Sequence, residues 1–149
     1  PTVPPRSYGF FSPERNELTL MLGSTTVNDF SSPMGTASVL EYRRILTPYV
    51  DATVTAIDEG GAGHVKRRGL AAQLWAGRPF LGQRAMVSLG AGPYVARDDD
   101  ISTRTLGLLT MSLSYDFSRR WHARASWYRT VTTNSRDTDI IVLGIGRLF

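Results

Sequence analysis

The chain has 149 residues, a charged fraction of 20% and a formal net charge of +4, a size that suits one domain able to bury a core or close one small barrel. The ordinary hydrophobic content argues against a disordered chain, and no apolar run approaches the roughly 20 residues of a transmembrane helix. Cysteine is absent, which removes disulfides, thiolate metal sites and cysteine nucleophiles, and the positive charge is arginine scattered through every segment, with Lys66 the only lysine, so no nucleic-acid partner is expected.

Residues 1–15, PTVPPRSYGFFSPER, hold four prolines and no periodicity and are expected to form an extended arm outside the repeating architecture. Proline at position 1, with no signal-like segment ahead of it, is expected of a processed or trimmed chain. Tyr8, Phe10 and Phe11 are unusual in a flexible tail, and they mark the arm as a surface for the barrel or for a protein partner.

From position 16 to 149 the dominant signal is alternation at period two, the mark of strands with two different faces. The first four strands are expected over 17–26 (Leu18, Leu20 and Leu22 on the apolar face), 37–46 (Leu40, Tyr42), 48–58 (Val50, Ala52, Val54, Ala56) and 67–80 (Leu70, Ala72, Leu74, Ala76). In the fifth, Ala85, Val87, Leu89, Ala91 and Val95 alternate with Met86, Ser88, Gly90, Gly92 and Tyr94. The sixth, 105–117, is the clearest: Leu109, Met111, Leu113, Tyr115 and Phe117 against Thr110, Ser112, Ser114 and Asp116. In the seventh, Trp121, Ala123, Ala125 and Trp127 alternate with His122, Arg124, Ser126 and Tyr128; the eighth sets Ile141, Leu143, Ile145 and Phe149 against Val142, Gly144 and Gly146.

The links after the second, fourth and sixth strands are tight (Thr47-Pro48, Leu81-Gly82-Gln83, Ser118-Arg119). The other four are longer, polar and rich in glycine or aspartate. Even strand number, strands of roughly ten residues and alternating turn length predict an all-β fold, an eight-stranded antiparallel up-and-down transmembrane β-barrel with both termini periplasmic. Closure follows because an open sheet edge in hydrocarbon leaves backbone N–H and C=O groups without partners. Eight strands leave a lumen that side chains fill, so a packed plug is expected rather than a pore. A soluble lipocalin-like carrier is the inverse arrangement, apolar face inward, and the aromatic residues at strand ends (Tyr42, Tyr115, Trp121, Trp127) favour a membrane-interface girdle instead.

The inferred inner face carries Glu41, Arg43, Asp51, Gln73, Trp75, Asp116, His122, Arg124, Ser126 and Tyr128, a mixture that must pair because an unpartnered buried charge costs several kcal/mol. A proton or solute path is the alternative role for this polar network. A Ser-His-Asp site would need His64 with Asp58 or Glu59 and a loop serine such as Ser135, and no spacing singles these out. Asp98, Asp99, Asp100, Asp137 and Asp139 lack the spaced ligands of an EF-hand and are expected to be solvated loop acids, so neither a metal nor another cofactor is implied. Lys66, Arg67 and Arg68 are placed to face lipopolysaccharide phosphates at the outer rim. Gly90-Ala91-Gly92 and Gly144-Ile145-Gly146 lie inside strands with no helix after them, so they are not dinucleotide loops; inward glycines make room for bulky lumen neighbours.

The last segment, DIIVLGIGRLF, resembles the C-terminal signal read by the barrel-assembly machinery: Phe149 is terminal and Ile141, Leu143 and Ile145 occupy alternate preceding positions, while Arg147 stands where an aromatic is often found. The resemblance implies the outer membrane of a Gram-negative cell, with outer-membrane lipid, lipopolysaccharide and that machinery as partners. The runs LEYRR at 40–44, GAGPY at 90–94 and WYRTVT at 127–132 resemble a group of eight-stranded barrels related to acyloxyacyl hydrolases and PagL-type lipid A deacylases, over most of residues 36–149. Such a deacylase carries a histidine and a serine two apart on the seventh strand and an acid on the eighth. Trp127, Arg129 and Asp139 occupy those positions here, so only the acid is retained. The expected role is therefore non-enzymatic, an anchor or subunit of an envelope assembly, with a lipid A-modifying hydrolase as the alternative.

Overall fold

The computed structural model describes residues 16–27, 35–47, 49–59, 67–82, 84–98, 103–131 and 138–149. The arm and its Tyr8, Phe10 and Phe11 lie outside the described residues, as do Lys66, His64, Asp99, Asp100, Ser135 and Asp137. Eight strands run in chain order: β1 Asn16–Val27, β2 Gly35–Ile45, β3 Val50–Asp58, β4 Arg67–Phe80, β5 Ala85–Asp98, β6 Thr103–Asp116, β7 Trp121–Val131 and β8 Thr138–Leu148. Each pairs antiparallel with its neighbours, and β1 with β8 (Leu20 opposite Ile145), so the sheet closes into a barrel.

The register fixes the shape. From Ile145, one path round the barrel passes through Leu20, Leu40, Ala56, Leu70 and Val95 to Thr105 of β6. The opposite path passes through Ala123 to Tyr115 of the same strand, ten residues away from Thr105. Eight strands with this stagger tilt by about 40° from the barrel axis. An eleven-residue strand such as β8 then spans about 27 Å at about 3.3 Å per residue, close to the roughly 25 Å apolar band of an outer-membrane barrel.

Strand parity sorts the two faces. Leu20, Leu22, Leu74, Leu143 and Ile141 point outward and stay more than half exposed, whereas Glu17, Glu41, Arg43, His122 and Arg124 point inward and are buried. Apolar groups outside and ions inside are the reverse of a soluble carrier, which overturns the lipocalin-like reading: in water this exterior would leave dozens of large side chains unburied.

Strand ends differ from the sequence expectation where turn chemistry intervenes. β3 begins at Val50 rather than 48, because Thr47 Oγ1 accepts the N–H groups of Tyr49 and Val50 and holds the link in a turn. β6 ends at Asp116, and Ser118 Oγ caps the next turn by accepting Trp121 N–H. In the β4–β5 link Leu81 and Gly82 both take positive φ (52° and 62°), and Leu81 C=O accepts Arg84 N–H.

Candidate functional site

The interior gathers the largest set of ionisable side chains among the described residues, and it is built in three layers. Near the end that carries the termini, Glu41 is the hub. Its Oε1 accepts from Arg43 Nε at 3.1 Å and from Arg124 Nη1, and its Oε2 accepts from the Tyr128 hydroxyl at 3.0 Å. Arg43 reaches on to Asp51 Oδ2 at 3.0 Å and lies 4.2 Å over the Trp75 ring, while Trp75 Nε1 donates to Thr53. Arg124 also pairs with Glu17 Oε2 at 3.0 Å. All of these side chains are almost wholly removed from solvent, and each charge is held by direct opposite-charge contacts.

The middle layer is apolar. Met21, Val39, Ile57, Tyr94, Leu108 and Ile140 belong to one buried cluster that crosses the lumen. Beyond it, toward the longer loops, a smaller polar group forms: Glu59 accepts from the hydroxyls of Tyr94 and Thr138, and Arg67 lies 3.7 Å from Glu59 and donates to Thr130 Oγ1. Two ion clusters are thus separated by side chains that offer an ion or a proton little to bind.

Not every inward residue expected from the sequence joins the hub. Gln73 bonds Thr110 Oγ1 at 2.9 Å and the Leu108 carbonyl; Ser126 bonds Ser112. His122 Nε2 sits 3.0 Å from Thr19 Oγ1 and packs against Gly146, where a Cβ would overlap the imidazole. Asp116 lies half-buried at the rim. Gly90 makes the same kind of room for Trp75, whose ring atoms lie 2.5 Å from where a Cβ would stand.

Three placements correct the sequence reading. Arg67 does not face the outer rim but is buried in the lumen, because it falls on the parity of Ala71, Gln73 and Trp75; Arg68 points out, paired with Asp58 at 2.9 Å. Glu59, a candidate partner for His64, is committed to the inner cluster with Arg67, and it and Asp58 point to opposite faces. Glu17, Thr19, Thr130 and Thr138 were missed as inward residues, although the alternation with Leu18 and with Arg129 and Asp139 carries that parity.

On the exterior, Trp127 Nε1 donates to Asp139 Oδ1 at 3.2 Å and Arg129 Nη1 lies 3.5 Å from the same oxygen. The trio places an indole and a guanidinium where a deacylase of that pattern has its imidazole base and its hydroxyl nucleophile, and both are committed to the Asp139 carboxylate. Among the described residues no three histidine or carboxylate side chains are disposed to hold a metal ion.

No family model and no curated protein matches the sequence. Solved structures match the fold. The N-terminal β-barrel domain of OprF from Pseudomonas aeruginosa superposes with a TM-score of 0.70 at 14% identity, covering 91% of this chain and 99% of that one. Ail, the attachment invasion locus protein of Yersinia pestis, gives 0.60 at 11% identity over 91% of this chain and 99% of its own. A de novo designed transmembrane β-barrel gives 0.66 at 13% identity over 95% and 100%. The chain therefore has the fold of small eight-stranded outer-membrane barrels. That a designed barrel fits as well as natural ones means the likeness speaks of architecture and carries no activity.

Proposed function

We propose that this protein is a closed, non-enzymatic barrel of the bacterial outer membrane that serves as an anchor or subunit of an envelope assembly. The observation that carries the reading is the layered lumen: two buried ion clusters with an apolar cluster between them, inside an exterior of exposed leucine, isoleucine and valine. Charges locked in mutual pairs stabilise a wall and leave no open site for substrate or solute. In this reading the termini are periplasmic, Ile141, Leu143, Ile145 and Phe149 form the assembly signal, and Tyr8, Phe10 and Phe11 engage a protein partner. The outward exposure of those four terminal-strand residues supports a role in lipid contact and assembly.

The test combines conductance with lipid chemistry. Purified protein, refolded to a heat-modifiable gel band, is expected to give no single-channel steps in a planar bilayer and no acyl loss in mass spectra of lipid A incubated with it. Discrete conductance would refute the closed lumen. Released acyl chains would replace this reading by the hydrolase.

A further inference from the structure

The two ends of the barrel treat their arginines differently. At the loop end the outward arginines meet acids on the same surface: Arg68 pairs with Asp58 and Arg129 with Asp139, leaving Arg97 without a carboxylate partner among the described residues. At the termini end, Arg44, Arg78, Arg119 and Arg147 project from strand ends and turns. The carboxylates of that end are turned away from them. Glu17, Glu41 and Asp51 are buried in the lumen, consumed by Arg43 and Arg124, and Asp116 is half-buried. Strand parity thus takes the negative charge inside and leaves the exterior of this rim positive.

Two further features make the rim suited to a headgroup layer. Tyr42, Phe80, Tyr115, Phe117, Trp121 and Phe149 are exposed among the arginines, the aromatic composition that settles at the boundary of hydrocarbon and headgroups. Two of the guanidiniums are held by neutral neighbours: Arg44 donates to Asn16 Oδ1, which also accepts from the Tyr42 hydroxyl, and Arg147 lies 5.5 Å over the Trp121 ring. Arg78 and Arg119 meet no carboxylate among the described residues.

We infer that the termini-end rim is a binding surface for the phosphates of anionic glycerophospholipids, which the arginines hold by charge-assisted hydrogen bonds while the aromatic ring sets the depth of the barrel. The inference rests on the barrel lying in a bilayer and holds for either orientation.

Native mass spectrometry of the full chain released from detergent micelles tests it, with phosphatidylglycerol and phosphatidylcholine of equal chain length supplied together. The wild-type protein should retain about five-fold more phosphatidylglycerol. The ratio should fall to about one in the variant Arg44→Gln, Arg78→Gln, Arg119→Gln, Arg147→Gln and stay high in Arg68→Gln, Arg97→Gln, Arg129→Gln. Equal retention by the wild type, or loss only in the second variant, overturns the inference. Bisphosphorylated lipid A added as competitor separates the sources: displacement of phosphatidylglycerol through the same four arginines would assign the rim to lipopolysaccharide instead. If the four-site variant does not give a heat-modifiable band, Arg119→Gln in the turn carries the test, with a fall of about two-fold expected and no change overturning it. A chain that stays monodisperse without detergent would instead refute the membrane reading itself.

Discussion

Glu41→Gln is the perturbation that most directly probes the lumen. The substitution keeps the size of the side chain but removes the charge that faces Arg43, Arg124 and the Tyr128 hydroxyl at once. Asp51 still answers Arg43 and Glu17 still answers Arg124, so neither guanidinium is stranded, yet each loses one of two direct carboxylate contacts. Breaking a buried pair costs about 3–5 kcal/mol, and the surviving partners place this case near 3 kcal/mol. The measurement is urea unfolding of the protein refolded into phospholipid vesicles, followed by gel mobility and by tryptophan fluorescence, to which Trp75 beside Arg43 contributes. Ser126→Ala, which removes only the neutral bond to Ser112, is the internal control at about 1 kcal/mol or less. In a double-mutant cycle, Glu41→Gln with Arg124→Gln should show a coupling of about 2 kcal/mol. A Glu41→Gln loss no larger than that of Ser126→Ala would show that the cluster is not what holds the lumen together.

Other changes probe single contacts. Gly90→Ala drives a methyl group into the Trp75 ring and should cost about 1–3 kcal/mol in the same unfolding assay, with part of the loss recovered when Trp75→Phe shrinks the ring. Leu81→Gly relieves a non-glycine residue at φ 52° in an exposed turn and should gain about 1 kcal/mol; a loss there would mean that the Leu81 side chain contributes more than its backbone costs. Arg129→Gln breaks a partly exposed pair with Asp139 and should change stability by less than about 1 kcal/mol, so a loss rivalling that of Glu41→Gln would mean the exterior trio is a structural clamp.

Much of this architecture is local in origin. The alternation of Leu109, Met111, Leu113 and Tyr115 with Thr110, Ser112 and Ser114 decides which side chains meet lipid, because parity along a strand depends on nothing outside the strand. Eight such strands with short links after every second one leave an up-and-down meander as the natural topology. The same parity carries Glu17 and Arg67 inward; Glu17 is absent from the inner face expected from the sequence, and Arg67 is expected there at the outer rim, since a charge near a strand end gives no sign of its facing except by parity. Local turn chemistry moved the start of β3 from 48 to Val50, a shift that period-two counting does not register.

Alternation along each strand therefore sorts residues into a lipid face and a lumen face, and with that sets the class of fold. Who meets whom across the lumen is set only when the barrel closes. Glu17 and Arg124 are 107 positions apart, and Glu59 and Thr138 are 79 apart. Those meetings depend on closure of β1 on β8 and on the ten-residue stagger that sets the height of every side chain in the barrel. The physical reason is that facing is a property of one strand, whereas height is a sum over all eight pairings. That sum is also what gathers Glu41, Arg43 and Arg124 at one level, Met21 and Leu108 at the next, and Glu59 with Arg67 at the last.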